Sequence, residues 1–293
     1  MLKQPEAFML KEKVRTAFDA SAVSYDATAI LQQEIANRLL ERMQCIRLRP
    51  AQIVDIGTGT GQCLAGLKDT YPKANLTALD ISINMLKQCR TKQGWWSTFR
   101  NSVSYINADA EKLPLETSSV DLLFSNLALQ WCNDLEQTFK EFRRVLRPGG
   151  LLMFTTFGPD TLKELRACWS KADGFNHINQ FVDMHDVGDE LVSARFAEPV
   201  IDMEMVTMTY PDAIQIMKEL KAIGAHNVTR GRSLHLTGKG RLQKVIKEYE
   251  ALRNDGVLPV SYEVIYGHAW IPESEKTNEA LPGKAFISLS NIE

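Results

Sequence analysis

Short apolar runs alternate with amphipathic stretches over the middle of the chain, from about residue 51 to residue 158. Five of these runs have the length and the bounding turn residues of buried strands: 52–56, 75–79, 103–107, 120–125 and 151–156. Segments with apolar residues at helical spacing lie between them, the clearest at 135–146. This alternation predicts an α/β protein with a doubly wound, mostly parallel sheet of the Rossmann-like type.

The flanking regions predict helices and two further strands, which makes seven strands in all. Residues 11–43 repeat apolar positions near a 3.6-residue period and predict two helices with a break at 21–26. Beyond residue 158 the pattern predicts, in order, helix 159–170, helix 184–196, strand 199–210, a helix from Pro211 to about 224, helix 241–254 and strand 260–270. The segment between the last two strands is too long for a hairpin loop and predicts a helical lid over the active-site face.

The same pattern predicts four segments: N-terminal helices at 1–50, a nucleotide-binding core at 51–158, the remaining core elements with the lid at 159–272, and a tail at 273–293. Apolar residues make up 44% of the 293 positions and charged residues 24%, which is ordinary for a globular protein. A net charge of −2 gives no indication of nucleic-acid or membrane partners. The five cysteines form no C-x-x-C pair, and the N-terminus lacks a continuous apolar stretch, so we expect no zinc site and a cytoplasmic location.

The first predicted strand runs into a glycine-rich turn of the spacing G-x-G-x-G. An acidic residue precedes it, and the turn comprises Asp55, Gly57, Thr58, Gly59 and Gly61. A dinucleotide fingerprint counted from Gly57 needs a sixth-position glycine, but Gln62 stands there. The turn therefore favours a nucleotide-like ligand other than a dinucleotide.

Acidic residues end the next two predicted strands. Asp80, followed by Ile81, is placed to accept hydrogen bonds from ribose hydroxyls. With Asp109, these motifs resemble the class I S-adenosylmethionine-dependent methyltransferases. The resemblance implies that Asp109 contacts the adenine amino group, that the backbone amide of Ala110 contacts the ring, and that the backbone carbonyl of Asn126 approaches the methionine moiety. It also implies S-adenosylmethionine as the cofactor, which carries no phosphate and requires no metal.

Four further segments are similar to a narrower family, the malonyl-acyl-carrier-protein O-methyltransferases of biotin synthesis (the BioC family). They are 14–26, 157–165, 181–186 and 220–225. The resemblance implies methylation of the free carboxylate of a malonyl thioester, on acyl carrier protein or on coenzyme A. Because that carboxylate is already ionised at neutral pH, no general base is expected.

The resemblance also suggests roles for residues outside the glycine turn. Tyr25 is predicted to close over the methyl centre, and Trp131 either walls the substrate pocket or packs in the core. Candidates for holding the carboxylate are His177, His226, Arg230 and Arg232. A basic patch for an acidic carrier protein is predicted at Lys218, Lys221, Arg230, Arg232, Lys239 and Arg241, although these residues equally fit a solvated helix face.

Two alternatives stay open from the sequence. Residues 157–162 are also compatible with the complex I assembly-factor group, which has a methyltransferase fold but hydroxylates an arginine. The other alternative is a non-catalytic scaffold that binds the cofactor.

Overall fold

A seven-stranded sheet forms the centre of the molecule. The computed structural model describes residues 8–93, 103–225, 227–228 and 238–273. The strands are β1 (Gln52–Ile56), β2 (Asn75–Asp80), β3 (Ser104–Asn107), β4 (Val120–Ser125), β5 (Leu146–Phe157), β6 (Ala197–Tyr210) and β7 (Leu258–Trp270). They lie in the order β3-β2-β1-β4-β5-β7-β6, and only β7 runs antiparallel to its neighbours. The predicted doubly wound, mostly parallel sheet is confirmed.

Ten helices surround the sheet in the part of the chain that the structure describes. They are α1 (Lys11–Ser21), α2 (Tyr25–Thr28), α3 (Ile30–Met43), α4 (Leu64–Thr70), α5 (Ile83–Gln93), α6 (Leu135–Val145), α7 (Lys163–Ala172), α8 (Met184–Ser193), α9 (Ala213–Ala222) and α10 (Lys239–Glu250). Within these residues no helix is both long enough and apolar enough to cross a membrane. The division of the chain into four segments stays a prediction.

Both faces of the sheet are covered by apolar side chains, as short continuous apolar strands require. On β1, Ile53 belongs to the core beneath α3, α4 and α7, whereas Val54 and Ile56 belong to the core beneath α6 and α8. Phe139 of α6 and Phe154 of β5 are fully buried in the second core. Side chains alternate along a strand, so a shift of one residue would move each of them to the other face of the sheet. The two-sided burial therefore fixes the register of the strands and the edge of the sheet at which they end.

Several predicted boundaries were wrong, and the structure gives a physical reason for three of them. The N-terminal region forms three helices, because the short helix α2 begins within the predicted break at 21–26. Strand β5 begins at Leu146 and not at 151, because its glycine-containing start pairs with the end of β7, where the N–H of Gly149 donates to the carbonyl of Ile271 at 2.9 Å. Pro211 precedes helix α9, whose N-cap is Asp212; its side chain accepts the N–H of Gln215 at 2.9 Å.

Candidate active site

A cavity of about 170 Å³ opens at the carboxyl ends of the parallel strands, where a doubly wound sheet binds its ligands. Ten of the predicted site residues line it: Tyr25, Gly57, Gly59, Asp80, Ile81, Asp109, Ala110, Asn126, Trp131 and His177. Because these residues come from seven separate segments, the fold assembles them.

The three glycines of the turn have positive φ but different surroundings. A Cβ on Gly57 would lie 2.3 Å from that of Ala128, and one on Gly61 would lie 2.6 Å from the Cys89 sulfur. At Gly59 the nearest atom is a ring carbon of Tyr25, 3.9 Å away, and the glycine faces the cavity. The absence of a Cβ at Gly61 therefore serves the packing of the turn. None of Gly61, Thr58 and Asp55 lines the cavity.

Asp80 lies at the end of β2 with both carboxylate oxygens hydrogen-bonded to backbone. Oδ2 accepts the N–H of Gly59 at 2.9 Å, and Oδ1 accepts the N–H of Ser82 at 2.7 Å. Burial raises the pKa of Asp80 to about 6, against the opposing effect of these two hydrogen bonds. The side chain thus ties the glycine turn to the second strand and offers its remaining lone pairs to the cavity.

Asp55 lies beneath the turn and is almost completely buried. Its Oδ2 accepts the hydroxyl of Thr58 at 2.6 Å, while Oδ1 has no partner among the described residues. Burial raises the pKa of Asp55 to about 7, and the nearby Asp80 adds to the rise. Two carboxylates held this way suit a ligand that carries positive charge close to the turn.

An N-terminal cover, defined here as α1 and α2, lies over the cofactor end of the cavity. The carboxylate of Asp19 accepts the hydroxyl of Ser82 at 2.6 Å, and that of Asp26 accepts the hydroxyl of Thr60 at 2.6 Å. These contacts hold Tyr25 above Gly59, where burial raises the pKa of its hydroxyl. The hydrogen-bonded role of Asp19 was missed from the sequence, because its partner lies 63 residues away.

Lys11 was also missed. Its ammonium lies 2.9 Å from Asp109 Oδ1 and 2.6 Å from Glu111 Oε2, and it lines the cavity. Nothing in the local pattern around Lys11 indicates this pairing. The contact joins the start of the cover to the end of β3, where Asp109 and Ala110 lie.

Asn126 and Trp131 form the wall beyond strand β4. The Asn126 side chain is engaged on both sides: Nδ2 donates to the carbonyl of Gln32 at 3.1 Å, and Oδ1 accepts the hydroxyl of Thr155 at 2.8 Å. Because both ends of the side chain are engaged, we still expect the backbone of Asn126 to be the part that meets a ligand. Trp131 lines the cavity with its ring edge-to-face against Phe18, centroids 5.1 Å apart, so it is both a wall and a packing residue.

The cavity continues toward β5 and β7 as an apolar compartment. It is bounded by Phe157, Leu162, Leu165, Ile178, Phe181, Leu220, Ile223 and Tyr262. Leu220 lies in α9 and Ile223 directly follows it, so part of the segment between the last two strands lines this face of the cavity. His177 also lies here, with its ring stacked on Trp169 at 3.7 Å and its Nε2 2.8 Å from Asp173 Oδ1.

The predicted basic patch is only partly described. Lys218, Lys221 and Lys239 are exposed, and Lys221 lies outside the cavity on the helix that covers it. Arg241 is exposed and approaches Asp173 at 3.5 Å. His226, Arg230 and Arg232 lie outside the described residues. Within the described ranges, no group of three or more His, Cys, Asp or Glu side chains is arranged to hold a metal.

The fold and this site define a class I S-adenosylmethionine-dependent methyltransferase. A family described as "Methyltransferase domain" matches residues 54–154, which include the glycine turn, Asp80, Asp109 and Asn126. Among solved structures, the YcgJ protein of Bacillus subtilis superposes with a TM-score of 0.59 at 15% identity, over 81% of this chain and 100% of that one. This likeness supports the fold.

Whole-chain relatives define the class more narrowly. A malonyl-[acyl-carrier protein] O-methyltransferase from Gallionella capsiferriformans is 50% identical over 282 residues, 96% of each chain. Another from Nitrosospira multiformis is 50% identical over 277 residues, 90% of each chain. The chain belongs to the malonyl-[acyl-carrier protein] O-methyltransferase family, and its cofactor is S-adenosylmethionine.

Proposed function

We propose that the protein transfers a methyl group to the free carboxylate of malonyl-acyl carrier protein in biotin synthesis. The single observation that carries this proposal is the 50% identity to relatives of that name along nearly the whole chain, apolar compartment and covering helix included. The relatives named above favour this reaction over arginine hydroxylation. Residues of the predicted cofactor motifs and residues of the predicted lid line the same cavity.

For the cofactor half we propose the following contacts. Asp80 accepts the ribose hydroxyls, Asp109 and the amide of Ala110 bind the adenine, and the carbonyl of Asn126 faces the methionine moiety. Gly57 and Gly59 let the backbone approach, and Ile81 packs on the base. Asp55 lies beneath the turn. A cationic ligand bound at the turn favours the ionised carboxylates of Asp55 and Asp80, because opposite charges attract.

The reaction needs positioning more than proton transfer. S-adenosylmethionine, when bound, supplies a methyl group on a sulfonium sulfur. A malonyl carboxylate is ionised at neutral pH, so it attacks without a general base. Tyr25 and Trp131, with the apolar compartment, are suited to exclude water and to hold the carboxylate in line, since a desolvated carboxylate is a better nucleophile.

For the carrier protein, we propose that basic residues near the covering helix attract its acidic surface. Lys221 is exposed beside Leu220, which lines the cavity. Arg230 and Arg232 follow it in the chain, and His177 lies at the apolar compartment. A carrier that docks here would deliver the thioester arm past α9.

A transfer assay tests the function. Methyl-labelled S-adenosylmethionine is incubated with malonyl carrier protein, with malonyl-coenzyme A, and with acetyl carrier protein as the control that lacks the carboxylate. We expect label on the malonyl carrier that an esterase removes, and none on the acetyl carrier. Transfer to malonyl-coenzyme A at equal efficiency would reject the carrier as the specific partner. Absence of transfer to either malonyl thioester, with cofactor binding intact, would reject the proposed reaction.

A further inference from the structure

The apolar compartment of the cavity contains one buried amide whose role is unassigned. Asn179 lies on the loop between α7 and α8, lines the cavity and is 8% exposed. Its Oδ1 is buried without a hydrogen-bond partner among the described residues. Because an unpaired buried polar atom is destabilising, the amide at this position points to a ligand that completes its hydrogen bonds.

The other polar side chains of this compartment are already engaged, and the Tyr262 hydroxyl is hydrogen-bonded to that of Tyr210. The Thr161 hydroxyl donates to the carbonyl of Glu263 and accepts its N–H, both at 3.1 Å. His177 is held by Asp173, and Asn227 donates to the carbonyl of Asn176 at 2.6 Å. Asn179 is therefore the polar side chain of this compartment that remains available, within the described part of the chain.

Its position separates it from the cofactor half. The glycine turn, Asp80 and Asp109 belong to β1, β2 and β3, at one side of the sheet, whereas Phe157 and Tyr262 belong to β5 and β7. The ring of Phe157 contacts those of Phe181 and Tyr262, with centroids 5.8 and 5.7 Å apart. Asn179 lies two residues before Phe181 and lines the cavity with it, so we assign the amide to the apolar compartment.

We propose that the Asn179 amide is a specificity-determining residue that binds the carboxylate of the malonyl group. The proposal rests on the proposed function. An amide N–H donates to one carboxylate oxygen and leaves the other oxygen free to attack. Oδ1 as placed is an acceptor and does not bind a carboxylate oxygen; rotation of the amide by about 180° exchanges oxygen and nitrogen and turns an N–H donor to the unpaired position. The malonyl group differs from an acetyl group by this carboxylate alone.

A neutral donor suits the chemistry of this compartment. No Lys or Arg side chain lines it among the described residues, and Lys11, at the cofactor half, is paired with Asp109 and Glu111. An ion pair to a cation would stabilise the carboxylate before reaction and lower its nucleophilicity. An uncharged amide orients the carboxylate and preserves its charge for the attack.

The test compares affinities for malonyl and acetyl carrier proteins, measured without cofactor. Asn179→Leu removes the donor at nearly constant volume, and we expect it to weaken malonyl carrier binding by about tenfold or more while acetyl carrier binding stays within about twofold. Asn179→Asp puts a negative charge beside the substrate carboxylate and should weaken malonyl carrier binding further. That loss should diminish toward acidic pH, where the introduced carboxyl group becomes protonated and its hydroxyl can donate again.

The neighbouring amide provides a matched control. Gln180 is exposed and does not line the cavity, so Gln180→Leu and Gln180→Glu should leave both affinities unchanged. Melting temperature and S-adenosylmethionine affinity identify a variant that is merely misfolded, and Asn179→Asp serves if Asn179→Leu does not fold. Equal weakening of both carriers by the Asn179 variants, or no weakening of either, would overturn the role of Asn179. If the wild-type protein itself binds malonyl and acetyl carrier equally well, the role of Asn179 is rejected, whereas the proposed function is judged separately by the transfer assay.

Discussion

At the residue scale, the buried carboxyl groups of Asp55 and Asp80 lie at the glycine turn, and burial disfavours the ionised form of both. The pKa of Asp55 is raised to about 7 and that of Asp80 to about 6, in each case chiefly by burial. A cationic ligand favours the charged form of both groups. Burial of these two carboxylates therefore destabilises the turn without a ligand, and the same burial favours the binding of a cationic ligand to it.

Asp55→Asn should stabilise the protein in the absence of cofactor at alkaline pH. The pKa of Asp55 in the folded protein exceeds the ordinary value near 4, so the folded state binds more protons between about pH 4 and 7, and the free energy of unfolding falls across that window. We expect the variant to exceed the wild type by about 1 to 4 kcal/mol near pH 8 and by less near pH 5. Urea unfolding at both pH values measures this, with the exposed Asp69→Asn as control. A difference that is the same at both pH values would contradict the assignment.

Asp80→Ala should weaken S-adenosylmethionine binding by about 10- to 100-fold, because it removes charge-assisted hydrogen bonds and the acceptor that holds the N–H of Gly59. Isothermal titration calorimetry measures the affinity, and Asp69→Ala is the matched control. In the wild type the affinity should rise with pH through the window between about 6 and 7, where the two carboxyl groups ionise. An Asp80→Ala affinity within twofold of the wild type would reject the ribose contact.

At the element scale, the N-terminal cover and the covering helix α9 meet above the cavity. Gly224 follows α9 with φ of +78°, and a Cβ there would lie 3.0 Å from the Ser21 hydroxyl and 3.2 Å from the Phe18 ring. Phe18 in turn packs on Trp131. The N-terminal cover and α9 thus form one continuous packed layer. A substitution at this junction should therefore affect both the cofactor half and the apolar compartment of the cavity.

Gly224→Ala should lower the free energy of unfolding and impair the transfer reaction. The left-handed φ alone disfavours a Cβ by roughly 1 to 2 kcal/mol. Gly256 has a φ of +81° with nothing within 4 Å of a Cβ, so Gly256→Ala carries the backbone effect alone. Thermal unfolding and kcat/KM of both variants separate the two contributions. If Gly256→Ala lowers stability and kcat/KM as much as Gly224→Ala does, the contact between α1 and α9 has no special role.

At the scale of the whole molecule, the net charge of the chain disfavours the binding of an acidic carrier protein, whereas local basic groups favour it. The chain carries a net charge of −2, which would repel an acidic carrier protein at long range. We therefore expect the proposed docking to depend on local basic groups near the cavity. Such contacts should weaken as salt rises, because exposed charges are screened within about 10 Å at 0.1 M salt.

Lys221→Glu should weaken carrier binding and reduce its salt dependence. We expect about a tenfold loss of affinity at low salt, more when Arg230 and Arg232 are reversed as well. The matched control is Lys73→Glu, since Lys73 is exposed and precedes β2, at the opposite edge of the sheet from the cavity. Surface plasmon resonance at several salt concentrations measures the effect. Unchanged affinity after reversal of all three residues would reject this docking surface.

Local patterns in the sequence were sufficient for the sheet, the glycine turn and the acidic strand ends. They sufficed because strand length, turn glycines and strand-end carboxylates all follow from residues close together in the chain. This is why Gly57, Asp80, Asp109 and Asn126 could be predicted to meet in one site: the carboxyl ends of parallel strands share an edge. The family resemblance extended this to the lid and to the malonyl thioester.

Only the tertiary structure decided which distant side chains complete the site. Lys11 reaches Asp109 across 98 residues and Asp19 reaches Ser82 across 63, and neither residue stands in a local pattern that indicates its partner. Asn179 is one of several polar residues in a loop, and its burial beside Phe181 emerges only when α7, α9 and β7 close around it. The sequence by itself determined the sheet and the cofactor cradle, because these depend on short-range order. The cover, its anchors and the buried amide depend on packing between remote segments, which no local spacing specifies.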